Sequence, residues 1–213
     1  PGWRRIETCA ESQIGMIQGS GINQWCELIA AVLKNRTLLI RLSGSTNVTI
    51  RETAMERLAQ YWPDEATRQF FLSNGLNDDN SNVRYTTLCL IAENWPTSTD
   101  SRRAVQRHVR QDASTSVRSI CLHQLAKTWP DENTRELLAQ RAVQDDNEYL
   151  RNAALQALAE KWPDENTREL LARRAVQDDD EQVRRAALEA LAEKWPDENT
   201  LKVLEDRAAS DEV

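Results

Sequence analysis

Trp62, Trp95, Trp129, Trp162 and Trp195 are each followed by proline, at intervals of 33, 34, 33 and 33 residues. A second landmark keeps the same step: Arg51, Arg84, Arg118, Arg151 and Arg184. Two landmarks in phase at this period mean that one supersecondary unit recurs along the chain. No fold with a single irregular core is compatible with that pattern.

The unit from Trp162 to Lys194 reads as two helices. Pro163 cannot continue a helix, and it biases Trp162 toward extended backbone. Asp164 and Thr167 are both N-cap candidates for helix A, with Glu165 placed against its positive end. Helix A is expected to run to about Val176, with Leu170, Leu171, Ala175 and Val176 on its apolar side. Asp178-Asp179-Asp180 breaks it. Helix B is expected from about Glu181 to Lys194, with Val183, Ala187, Leu188, Leu191 and Ala192 as its stripe. No such hairpin buries both faces alone, so successive copies must stack. The fold class expected is therefore all-α, an α-solenoid of antiparallel helix pairs. The tryptophans are expected to pack between repeats rather than to serve as platforms for bases.

Composition agrees with a helical array and excludes several chemistries. Two Phe, three Tyr and six Gly leave little to feed a sheet. With 27 Lys and Arg against 34 Asp and Glu, the net charge is −7, which argues against a broad phosphate-neutralising surface. Cys9, Cys26, Cys89 and Cys121 include no CxxC pair, so no disulfide framework is expected. No apolar run approaches the roughly 20 residues of a membrane span, and a reducing cytoplasmic setting is the expectation. No GxxxxGK[ST], GxGxxG or HExxH occurs; Gly19-Ser20-Gly21 is a lone turn. His123, with Cys89 and Cys121 as the thiols to consider, lacks a third group to complete a metal or nucleophile site. His108 is expected to be solvated. The Asp78-Asp79, Asp145-Asp146 and Asp178-Asp179-Asp180 turns lack EF-hand spacing. Neither metal nor cofactor is expected.

Asp-x5-Arg at the turn between the helices, followed by Ala-Ala-Leu-x-Ala-Leu, resembles HEAT repeats. The resemblance implies an Asp–Arg ladder tying successive repeats, carried here by Asp78 and Arg84, Asp112 and Arg118, Asp145 and Arg151, and Asp178 and Arg184. Ser45 stands where the first Asp should be, which puts the first rung in question. It also implies that helix B lines a concave face. The WPDENT linkers resemble, more loosely, the C-terminal arrays of bacterial NACHT-type STAND NTPases. The array is expected over residues 37–213, about five repeats with the last incomplete, because Asp211 holds the register of Asp178. Residues 1–36 are expected to form a helical cap or the stump of a preceding domain, with one helix running from about Ile22 to Leu42.

Trp129–Lys161 and Trp162–Lys194 differ only at Gln140/Arg173, Asn147/Asp180, Tyr149/Gln182, Leu150/Val183, Asn152/Arg185 and Gln156/Glu189. Four of the six lie on helix B. The columns two before, one after and five after each ladder arginine are chemically mixed, and they nominate a binding strip: Tyr85, Ser119, His123, Tyr149, Asn152, Gln156, Gln182, Arg185 and Glu189. Tyr85, Tyr149 and Arg185 are the expected anchors. The function expected is non-enzymatic binding of a protein or peptide, as the sensor or regulatory arm of a larger bacterial STAND-type NTPase. A HEAT-like bilin lyase or DNA glycosylase, or a plain spacer, are the alternatives. A glycosylase needs a basic groove, whereas Glu52, Glu56 and Glu189 outnumber Arg185 here.

Overall fold

Every full turn between the predicted helices is built from Asp, Asn or Ser, whose short side chains close orphan backbone N–H groups, and the helices begin there. In the computed structural model, residues 34–202 are described, together with Gly21, Gln24 and Cys26. The cap, the Gly19-Ser20 turn and the Asp211 register lie outside the described residues. The helices are α1 (Arg36–Leu42), α2 (Val48–Tyr61), α3 (Glu65–Ser73), α4 (Ser81–Asn94), α5 (Thr99–Gln111), α6 (Thr115–Thr128), α7 (Glu132–Gln144), α8 (Glu148–Lys161), α9 (Glu165–Gln177) and α10 (Glu181–Lys194). Among the described residues there is no strand, and the fold is an all-α solenoid of helix hairpins.

Two packing units divide the chain, residues 1–107 and 108–213. In the first, α1 packs on α2 and α2 on α4, and a 3-10 turn (Gly75–Asn77) continues α3 against α4. Gly75 is required there, because an added Cβ would stand 2.6 Å from Thr87 Oγ1. In the second, α7 packs on α8, α9 on α10, and α8 on both α6 and α10; α7 and α9 make no comparable contact with each other. The B helices are rich in alanine, including the buried Ala154, Ala159, Ala186 and Ala187, which permits their close approach.

Helix limits in the Trp162–Lys194 repeat fall within a residue of expectation. The two N-cap candidates separate: Asp164 is the cap, and Thr167 donates its backbone N–H to that carboxylate at 3.1 Å. Asp131 and Thr134 repeat this at 3.1 Å, and Asp64 and Thr67 at 2.9 Å. Where Asp is replaced by Ser98, the hydroxyl accepts from Ser101 N instead, at 3.2 Å.

Several expectations are corrected. Val176 is 56% exposed while Leu170, Leu171 and Ala175 are buried; at about 100° per residue it lies beyond the edge of their stripe. Ala192 is exposed although Ala159, its counterpart one repeat earlier, is buried. The tryptophans are half-buried rather than core. Each is the C-cap of a B helix, donating its backbone N–H to the carbonyl four residues back at 2.8–3.1 Å, and Trp95 meets Phe71 edge-on at 5.8 Å. His108 is buried, because it falls on the α5 stripe with Ala104, Val105 and Val109. The single helix expected from Ile22 to Leu42 is interrupted: Lys34 takes φ +47°, and Asn35 caps α1 by accepting from Leu38 N at 3.0 Å.

Within each unit, arginines of the Asp-x5-Arg motif join one repeat to the next, with a division of labour the motif alone does not display. Each ladder arginine donates to a backbone carbonyl in the turn of its own repeat, and Arg51, Arg118 and Arg151 also reach the carboxylate of the next. Arg151 reaches Asp145 O at 3.1 Å and Asp178 Oδ1 at 2.7 Å. Arg118 reaches Asp112 O at 3.0 Å, Asp145 at 3.4 Å and Asp146 at 3.1 Å. Arg84 and Arg184 hold the carbonyls of Asp78 and Asp178, both at 2.8 Å. The first rung, in question because of Ser45, is formed: Arg51 donates to Ser45 O and bidentately to Asp78, all at 2.8 Å. A carbonyl serves whatever side chain its residue carries.

A second ladder runs along the starts of the A helices. Arg36 bridges bidentately to Asp64 at 2.8 Å, Arg135 to Asp164 at 2.7 Å and Arg168 to Asp197 at 2.6 Å. Arg68 donates to Ser98, which stands at the same position. The aspartate that caps each of these A helices is thus also the acceptor for the previous repeat.

Candidate interaction surface

The outward positions of the B helices carry the strip, and each unit presents its own part. In the first unit, Tyr85 on α4 is 39% exposed. Partial burial, and Cys89 one turn further along, push its phenol above the usual value. Across the α2–α4 seam, Thr86 donates to Glu52 at 3.3 Å.

In the second unit the strip crosses α6, α8 and α10. Ser119 is half-buried and His123 exposed on α6. Cys121, two residues from His123, is fully buried, and among the described residues no cluster of His, Cys, Asp and Glu could hold a metal ion. On α8, Tyr149 is 70% exposed, the most exposed large hydrophobic residue among those described. Gln156, two turns on, is exposed, and Asn152 between them is half-buried. On α10, Gln182, Arg185 and Glu189 are all exposed, and Arg185 Nε donates to Glu189 Oε1 at 2.8 Å. An exposed i,i+4 pair of this kind contributes only about 0.3–0.5 kcal/mol, so a partner displaces it at little cost.

The six differences between the two near-identical repeats sort physically. Asn147 and Asp180 are equivalent N-caps. Leu150 and Val183 exchange one buried aliphatic for another. Gln140 and Arg173 lie exposed on A helices. The remaining three, Tyr149/Gln182, Asn152/Arg185 and Gln156/Glu189, are the strip itself.

Two polar atoms were not legible in the sequence. Asn152 Oδ1 and Gln124 Oε1 are buried without a hydrogen-bond partner among the described residues, and Gln124 as a whole is only 4% exposed. Gln124 stands six residues past its ladder arginine, where Leu90, Ala157 and Ala190 stand in three other repeats and Arg57 in the first; a polar residue at a mostly apolar position was the available signal.

The acidic turns are accounted for by the ladder. Burial alone would raise the Asp178 carboxyl. Hydrogen bonds from Arg151, the Asp180 backbone N–H and Arg174 outweigh it and hold the pKa down at about 2. Asp78 is likewise lowered, with burial opposed by Arg51 and the Asn80 backbone N–H.

No helix among the described residues is long and apolar enough to cross a membrane. A family model described as HEAT repeats matches residues 71–159, 101–192 and 135–213. Among curated proteins, none matches the chain.

Proposed function

Because the chain belongs to the HEAT-repeat family, we propose that it is a non-catalytic interaction scaffold whose exposed B-helix strip holds a protein or peptide. One observation carries this reading. Between two repeats that are otherwise nearly identical, the B-helix differences outside the core fall on Tyr149/Gln182, Asn152/Arg185 and Gln156/Glu189, all exposed but the half-buried Asn152, over constant ladders and a core that changes only from Leu150 to Val183. Exposed aromatic and Arg side chains are also the residue types that dominate interface energetics.

The test is selection of peptides against the whole chain from a random display library, followed by affinity measurement on Tyr149→Ala/Arg185→Ala. A loss of at least about tenfold, some 1.4 kcal/mol, is expected. Unchanged affinity in a variant of native helicity removes the strip as the site. Tyr85→Ala probes the first unit's portion in the same way.

The finer reading, a sensor or regulatory arm of a bacterial STAND-type NTPase in the cytoplasm, rests on the WPDENT linkers. Nucleotide hydrolysis by the full-length gene product, with and without the repeats, tests it. Faster hydrolysis on removing the array supports regulation; absence of hydrolysis in either form overturns it.

A further inference from the structure

The A helices of the second unit carry a feature that the B-helix strip does not use. Where α7 and α9 stay apart, a groove of about 430 Å³ opens between them. Its floor is apolar: Ala139, Leu158, Leu170 and the edge of Val143, which is 45% exposed. From Glu132 to Val143 the groove follows twelve residues of helix, eleven steps or about 16 Å at 1.5 Å per residue.

The groove has an electrostatic direction. Glu132, Glu136 and Glu169 line the half nearest the helix N-termini, and Arg173 lies one turn beyond Glu169, toward Val143. Arg135 also lines that half and pairs with Asp164 at 2.7 Å and with Glu132 at 3.7 Å, which leaves Glu136 and Glu169 as its acidic charges. A trough with an apolar floor, acidic at Glu136 and Glu169 and basic one turn further on at Arg173, matches one class of occupant.

We propose that this groove docks a short amphipathic helix of a partner protein, running antiparallel to α7 and α9. Its apolar ridge enters over Ala139 and Leu170, a basic side chain of its C-terminal turn meets Glu136 and Glu169, and an acidic side chain one turn earlier meets Arg173. Helices bias basic residues to their last turn, so the complementarity is to a common kind of helix. The antiparallel direction also opposes the occupant's dipole to those of α7 and α9. This surface is separate from the B-helix strip, and the chain would then bridge two partners.

Two fluorescein-labelled, 14-residue Ala-rich peptides test it, each with leucines at i, i+4 and i+7. One has Glu one turn before Lys in its C-terminal half; the other has these two charges exchanged. Fluorescence anisotropy against the whole chain is expected to show the first binding at least tenfold more tightly. Ala139→Trp, which fills the floor, is expected to weaken it at least tenfold. Should that variant lose helicity, Glu136→Lys/Glu169→Lys on the exposed rim decides, and is expected to reverse the preference between the peptides. Tyr149→Ala/Arg185→Ala should leave both affinities within twofold. Equal binding of the two peptides, no binding of either at millimolar concentration, or indifference to the rim variant would each overturn the proposal.

Discussion

Arg151 concentrates the logic of the array in one side chain. Its guanidinium is buried, donating to Asp145 O in its own repeat and to the Asp178 and Asp179 carboxylates in the next. Removing it leaves Asp178, whose side chain is fully covered, without its main counter-charge. Arg174 still pairs with Asp178 at 2.6 Å, so Arg151→Ala should cost about 2–3 kcal/mol, less than a wholly unpaired buried charge, read as a lower urea midpoint with helical circular dichroism retained below it. A midpoint equal to the parent's would mean the rung contributes nothing. The acid limb follows from Asp178. Its carboxyl is lowered to about 2 from an ordinary value near 3.8. A lowered pKa gives stability that is full above the unfolded value and is lost as pH falls through the folded one. The window is thus about pH 4 down to 2, and the contribution is on the order of 2 kcal/mol. Thermal melts at pH 5 and pH 2.5 should differ less in Asp178→Asn than in the parent. The arginines were legible as a column because they keep the repeat period, and the resemblance to HEAT repeats implied their ladder. Arg68, Arg102, Arg135 and Arg168 keep it too, yet the second ladder went unread, since arginine three residues into an A helix looks like an ordinary exposed helix former until its partner across the repeat is seen.

At the scale of the element, caps decide where helices begin, and one aspartate per repeat does two tasks. Asp164 accepts from Thr167 N and receives Arg135 from the repeat before. Asp164→Ala should cost about 1–2 kcal/mol, nearly all from the cap, because the ion pair is exposed on its aspartate side. Hydrogen exchange should show the Thr167 amide losing protection while α10 amides keep theirs; unchanged protection at Thr167 would contradict the assignment. Helix limits in the later repeats were readable because Trp-Pro-Asp and Asp-Asp turns state them chemically. The start of α1 was not, since Lys34 in a left-handed conformation has no compositional signature. Nor was the burial of His108, which required placing it on the same stripe as Val105 and Val109 rather than judging the residue by its polarity. The strip columns were legible as positions, but not the buried Asn152 Oδ1, which depends on the packing of neighbouring helices.

For the whole molecule, the repeats are interchangeable as scaffold and distinct as surface. Excising residues 129–161 joins Thr128 to Trp162 in register, so that Arg118 meets Asp178 in place of Asp145. Nearest-neighbour stability predicts a chain of unchanged helicity per residue that melts several degrees lower. A collapse of helicity would show that the repeats are not equivalent neighbours. A spacer would keep its function after such a change, whereas an interaction scaffold loses the α8 part of its strip. The measurement that bears most directly on the scaffold reading changes only exposed side chains: Tyr149→Gln and Gln156→Glu together, which give α8 the residues that α10 carries at those two positions. The variant should keep the parent's helicity and its melting temperature within about 3 °C, as exposed substitutions do, while losing at least tenfold in affinity for the peptides selected against the parent. Parent-like affinity in that well-folded variant would contradict the account.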